Sequence, residues 1–182
     1  GKTAANTNFT TLSGTYNLAL SGGIDATLTD ADVVNAMNNF ADTAQTAISL
    51  LVTGPYTSTT VQTAAINLAA TRKDCVAFVS PQDNSTGAVI TGFGSTATDA
   101  LITFRNAMTS SSYGFMDTGY KYIYDRYNDI YRWVPLNGDI AGLCVKTDST
   151  NDAWWSPAGF NRGQIKNVVK LAYNPKTSER DI

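Results

Sequence analysis

The chain has 182 residues, enough for one domain or slightly more, and 43% of them are hydrophobic, enough for a real core. Its net charge of −2, with only 15% charged residues, excludes the strong basic footprint of a nucleic-acid binder. It has no histidine, which excludes Ser-His-Asp triads, Cys-His dyads and His-ligated metal sites and lowers the expectation of catalysis.

Residues 1–14 are small and polar and read as a loose lead-in. Gly1-Lys2-Thr3 has the last letters of a phosphate-binding loop but neither its strand nor its first glycine. Tyr16–Leu20 reads as a short strand and Ser21-Gly22-Gly23 as a turn. Thr29 caps a helix with Asp32 three residues on, a shortened capping box, and Val33, Met37, Phe40 and Ala44 follow helical spacing. Ala47–Val52 is a buried strand ended by Thr53-Gly54-Pro55. Thr59 or Thr60 caps the next helix, with Val61, Ala64, Ala65, Leu68 and Ala69 inward and Arg72 and Lys73 suiting its C-terminal dipole. Cys75–Val79 is a second buried strand stopped by Pro81, and residues 82–96 form a polar loop. Thr98 and Asp99 start a third helix with Leu101, Phe104 and Met108 inward.

The alternation of strands and helices predicts an α/β fold with a largely parallel or mixed sheet flanked by helices. An aromatic β segment then occupies the C-terminal half. Tyr120, Tyr122 and Tyr124 alternate with Lys121, Ile123 and Asp125, and Tyr127, Tyr131 and Trp133 extend the aromatic stretch. Asn137 or Asp139 opens a short helix through Ile140, Leu143 and Cys144, followed by a Trp154–Gly159 loop. Ile165–Tyr173 is a final apolar segment, strand or helix, ended by Pro175. Cys75 and Cys144 read as buried free thiols. The longest uncharged span, Thr43–Thr71, is broken by Thr, Ser, Gln and Pro55 and cannot cross a membrane.

Candidates for chemistry are few. Fourteen of the fifteen acidic residues are Asp, which suits caps and turns. Asp125 and Asp129 flank Tyr127 as a glycosidase-like carboxylate pair would, but Arg126 and Arg132 beside them point to local ion pairing. Gly92-Phe93-Gly94 precedes a helix yet lacks the spacing of a phosphate cradle. The tyrosine strip suits a core face or a protein interface, and as the alternative a sugar platform. Charge is uneven: residues 1–71 hold one base and four acids, and residues 162–182 five bases and two acids. Such an acidic front and basic tail could help like chains meet head to tail.

The run from Trp133 to Gly159 is dense in shape-setting residues: Trp133, Val134-Pro135, Asn137-Gly138, Ala141-Gly142, Thr147-Asp148, Trp155 and Pro157-Ala158-Gly159. Together with Leu20-Ser21-Gly22-Gly23-Ile24-Asp25 it resembles the tail sheath proteins of contractile-tailed bacteriophages, in the form found in T-even-like phages. Leu136 stands where that family often has a second proline, and Asn137 where it often has serine. The resemblance implies a structural, non-enzymatic role without cofactor, metal or nucleic acid and without membrane insertion. It implies a subunit of the virion tail, assembled in the host cytoplasm into a helical lattice that shortens and drives the tail tube through the host envelope. The implied partners are other sheath copies, the tube protein, and baseplate and tail terminator proteins. Gly22, Gly23, Asp25, Trp133, Pro135, Gly138, Ala141, Gly142, Asp148, Trp155, Pro157 and Gly159 become structural or interface residues. The implied organisation is a single sheath domain over residues 15–173, with 174–182 a truncated stub of a longer subunit. A carbohydrate- or surface-binding module using the tyrosine strip is the competing class. If the Trp155 ring lies in the core, Trp155→Ala will cost about 3–5 kcal/mol; thermal unfolding of the variant measures it.

Overall fold

The computed structural model describes residues 21–180. The expected lead-in, the Tyr16–Leu20 strand and Leu20 of the glycine motif lie outside them. The elements run α1 (Asp30–Asn38), β1 (Leu50–Val52), α2 (Thr59–Arg72), β2 (Val76–Val79), α3 (Ser95–Ala107) and β3 (Gly114–Met116). They continue with β4 (Tyr120–Asp125), β5 (Ile130–Pro135), α4 (Asn137–Thr150), β6 (Lys170–Leu171) and α5 (Thr177–Arg180). The mixed α/β class is as expected, but the strands form two sheets rather than one. One is parallel, in the order β1-β2-β3; the other is antiparallel, in the order β5-β4-β6.

The parallel sheet is packed on one face and only partly covered on the other, where Val52 and Phe115 remain exposed, so β1 is not the buried strand expected; strand alternation sorts the side chains. Leu51, Ala77, Val79 and Met116 join a core with Val61, Ala65, Ile66 and Ala69 of α2 and Phe104 of α3. Met37 of α1 packs into the same cluster from outside α2. On the opposite face α4 crosses β1 and β2, bringing Gly138 within reach of Val52. Phe78 and Phe115 meet on that face with ring centroids 5.7 Å apart. At Gly114 a Cβ would stand 3.0 Å from the Ile66 side chain, so α2 approaches β3 closely and a larger residue there would have to push that side chain aside.

Local signals set several boundaries, and tertiary contacts move others. The Thr29–Asp32 capping box forms as expected, but α1 stops at Asn38, leaving Phe40 and Ala44 outside it and exposed. The reason is Arg72: its guanidinium, with a side chain shut off from solvent, donates to the carbonyls of Phe40 and Thr46 and pairs with Asp74 at 2.8 Å. Those carbonyls are thereby drawn away from a continuing helix. The cap of α2 is Ser58, one residue before the expected threonines, with its hydroxyl accepting from the Val61 N–H. Helix α3 begins at Ser95, not at Thr98. The Thr98 hydroxyl reaches back to the Gly94 carbonyl (3.1 Å) and across to the Tyr173 hydroxyl (2.9 Å), a role inside the helix.

Strand β3 is only three residues long and has no counterpart among the expected elements. Helix α4 is longer than the short helix expected, so Thr147 and Asp148 lie on it. Ile165–Tyr173 is mostly irregular, with a two-residue strand and Val168 and Val169 exposed. Both cysteines are free as expected, but only Cys75 is buried; Cys144 is half-buried. Helix α5 is tied to the start of α3, since its Glu179 accepts the Gly94 N–H at 2.9 Å, where a carboxylate suits the helix dipole.

Phe104 of α3 is fully buried in the core that α2 and the sheet share, so Phe104→Ala will cost about 3–5 kcal/mol, read by chemical denaturation.

Candidate interaction surface

In open parallel sheets, ligands gather in the crevice beyond the carboxyl ends of the strands. Here the residue immediately after each parallel strand is polar: Thr53 after β1, Ser80 after β2 and Asp117 after β3. The protein's own turn between β5 and α4 fills this crevice. Leu136 and Asn137 are each 2% exposed. The Asn137 side-chain amide donates to the Thr53 hydroxyl (3.1 Å) and the Gly54 carbonyl (3.0 Å), and its backbone N–H donates to Ser80 Oγ (3.0 Å). Ser80 in turn donates to Asp117 at 2.7 Å, and the Gly119 N–H donates to the other Asp117 oxygen at 2.7 Å. Gln62 of α2 donates to the Ser80 carbonyl at 2.6 Å, closing the cluster from the far face.

A serine beside a carboxylate invites a nucleophilic reading, but Ser80 has no exposed surface and both its hydrogen-bonding roles are filled. Burial pushes the Asp117 carboxyl up to about 7, with the negative charge of Asp139 adding to the effect and the Ser80 and Gly119 donors opposing it. Asp139 itself accepts from Lys121 Nζ at 2.7 Å, and the same ammonium reaches the Lys166 carbonyl at 3.2 Å, joining β4, α4 and the segment before β6. Thr57 completes the junction by bonding Gln82 (2.6 Å) and the Tyr120 hydroxyl (2.7 Å). The junction is thus a hydrogen-bonded polar joint between the two sheets, in which the Gln62 side-chain oxygen alone is buried without a partner among the described residues.

The expected site residues fall into three groups. Trp133 and Pro135 on β5 and Gly138 and Ala141 on α4 converge at this joint; Ala141 is 5% exposed, whereas Gly142 is exposed with open space around it. Gly22, Gly23 and Asp25 lie in an exposed segment before α1 with no element of their own, and Gly22 has φ 80°. Asp148, Trp155, Pro157 and Gly159 lie at the far end of α4 and in the loop beyond it. Sequence reasoning missed Thr53, Ser80, Asp117 and Gln62. The available signal was the position of the first three, each one residue past a parallel strand, but β3 itself was not recognised.

The Trp154–Gly159 loop buries neither of its tryptophans. Trp154 is 78% exposed and Trp155 37% exposed, with ring centroids 5.4 Å apart. Arg162 braces the loop: it lies 5.1 Å from the Trp155 ring and donates to the carbonyls of Ser156 (3.2 Å) and Ala158 (3.1 Å). Gly159, at φ 128°, and Gly163 close the turn through a 2.8 Å backbone bond, and a Cβ on Gly163 would stand 3.0 Å from the Gly159 nitrogen.

The tyrosine strip is the face of the β4–β5 hairpin. Trp133, Tyr122, Tyr131 and Tyr124 form a ladder with neighbouring centroids 4.7, 5.4 and 5.0 Å apart. Lys170 of β6 lies 5.1 Å from the Tyr122 ring and 5.6 Å from that of Trp133, so the strip is not a bare platform for a sugar. Asp125 pairs with Arg132 at 2.9 Å, the local ion pairing expected, whereas Asp129 accepts from the Tyr124 hydroxyl at 2.6 Å and Arg126 lies over the Tyr127 ring instead of pairing with either aspartate. Among the described residues no group of His, Cys, Asp and Glu could hold a metal ion, and no helix is long and apolar enough to cross a membrane.

Three measurements follow from this geometry. Asn137→Ala leaves the Thr53 hydroxyl and Gly54 carbonyl without their donor and will cost about 2–3 kcal/mol in denaturant unfolding. Asp117 holds its proton in the folded state up to about pH 7, whereas the unfolded chain releases it near 3.8. Its contribution to stability is therefore present at acid pH and is lost as pH rises to about 7. Asp117→Asn will flatten that decline in pH-dependent melting. Trp155→Ala, removing a half-exposed ring, will cost about 1 kcal/mol, not the 3–5 kcal/mol of a core tryptophan.

Comparison with known proteins accords with this arrangement. The family model for the phage tail sheath protein central domain matches residues 26–181. The tail sheath protein of Enterobacteria phage T4 is 39% identical over 182 residues, covering 90% of this chain and 27% of that protein. That of Vibrio phage KVP40 is 39% identical over 196 residues, covering 98% of this chain and 29% of that protein. That of Salmonella phage ViI is 35% identical over 122 residues, covering 66% of this chain and 19% of that protein. The chain thus spans less than a third of the length of these relatives. With a family model spanning nearly all the described residues and relatives at this identity, the chain belongs to the phage tail sheath protein family, as its central domain.

Proposed function

We propose that this chain is the central wall-forming domain of a contractile sheath subunit. Copies pack in a helical lattice around the tail tube, and the lattice shortens to drive the tube through the host envelope. Residues 15–173 act as one body in that wall, the baseplate and tail terminator bound the lattice at its two ends, and the tail is assembled in the host cytoplasm and carried in the virion. Subunits of this kind store energy as the difference between two packings of the same surfaces, so the domain neither binds nor hydrolyses a nucleotide.

The observation that carries this reading is the filled crevice. The place where an α/β sheet would take a ligand is occupied by Leu136 and Asn137, and the polar groups there are spent on holding the two sheets together. A body locked in this way moves as a unit, which is what sliding and rotation between subunits need. The exposed aromatic residues stand on its periphery, where neighbours would meet.

Negative-stain electron microscopy of the full-length subunit, with and without tail tubes at neutral pH, tests the reading. Hollow striated tubes, alone or around the tail tube, are expected, and no added nucleotide should be needed. Bare tail tubes among dispersed subunits would overturn it.

A further inference from the structure

Two exposed patches of complementary character stand on opposite layers of the domain. The first surrounds α1. Between residues 21 and 46 there is no Lys or Arg, while Asp25, Asp30, Asp32 and Asp42 are all exposed. Among them stand apolar side chains open to solvent: Ile24 is 94% exposed, Leu28 55% and Phe40 40%. The second patch is the loop beyond α4. Phe160 is 97% exposed and Trp154 78%, and from residue 152 to 170 three bases (Arg162, Lys166, Lys170) accompany a single acid, Asp152.

The layers make the relation between the patches directional. Helix α1 packs on α2, on one face of the parallel sheet, and α4, which leads into the loop, packs on the other. A patch on one layer cannot reach its complement within the same molecule's opposite layer, but it can reach that of the next copy. Contacts of this heterologous kind do not close on themselves as a two-fold pair does; they propagate into rings or helices. The loop is also prepared for the contact. Arg162 and the Gly159–Gly163 turn hold it in shape, so little order remains to be lost when it docks.

We infer that the Trp154–Lys166 loop of one copy docks on the acidic, apolar surface around α1 of the next, forming a head-to-tail contact between sheath subunits. Trp154 and Phe160 cover Ile24, Leu28 and Phe40 across the contact, and Lys166 faces Asp25 and Asp30. This inference rests on the proposed function, since it supplies that lattice with one of its contacts.

The test uses the full-length subunit and sedimentation of assembled sheath, with far-UV circular dichroism and melting temperature as controls for folding. Phe160→Ser, Asp30→Lys and Lys166→Glu all alter exposed side chains. Each should keep the melting temperature and raise the protein concentration needed for assembly by at least tenfold. Combining Asp30→Lys with Lys166→Glu in one chain, or mixing the two single variants, should restore assembly, because the opposite charges then meet again between copies. Failure of the double variant and of the mixture to recover, or assembly of the single variants at the unaltered concentration, would overturn the contact while leaving the sheath reading intact. Failure of the unaltered subunit to assemble even on tail tubes would overturn the proposed function, and this contact with it.

Discussion

Everything in this domain depends on how the open end of the parallel sheet is closed. Three short strands end in three polar residues, Thr53, Ser80 and Asp117, and left open that edge would expose buried-quality polar groups and the apolar side chains just behind them. Asn137 satisfies it with one side chain and one backbone N–H, because an amide can donate twice from one group while the backbone of a helix start has a donor to spare. The same insertion fixes where β5 must end and where α4 must begin. The antiparallel hairpin, α4 and the parallel sheet are therefore placed by one turn.

The joint divides the molecule into a firm interior and an outward periphery. Inside, Arg72 and Lys121 spend their charges on backbone carbonyls and on Asp74 and Asp139, so buried cations fasten segments rather than receive ligands. Outside, the loop beyond α4 and the segment before α1 keep large apolar side chains in water. A soluble surface does not carry such groups without cost, and in a lattice protein they are the groups that neighbours cover. Rigid interior and sticky rim together suit a part whose work is done between copies.

Much of this was legible in the chain. The Thr29–Asp32 box, the apolar runs Ala47–Val52 and Cys75–Val79 and the alternating tyrosines each carry a local period or cap; the box and the tyrosine strand form as expected, and the two runs form shorter strands, Leu50–Val52 and Val76–Val79, within them. The family motif was legible as well, because proline, glycine and tryptophan restrict the backbone or demand space in ways that spacing records. What was not legible had no local signal. Gly114-Phe115-Met116 becomes a strand only because β2 lies beside it, and α1 stops early because Arg72, more than thirty residues on, claims the Phe40 carbonyl. The fate of the tryptophans depended on what would stand over the loop, which no residue within it specifies.

By itself the sequence determined the class of the molecule: a mixed α/β domain without histidine chemistry, built on a sheath family pattern, because composition, period and backbone-restricting residues act locally. Only the tertiary structure decided that the strands would part into two sheets, that Asn137 would close the carboxyl end of one of them, and that Trp154 and Phe160 would face solvent. Those outcomes turn on contacts between residues far apart in the chain. Thr53 and Asn137 are 84 positions apart, and nothing in either neighbourhood announces that one donor will satisfy the other.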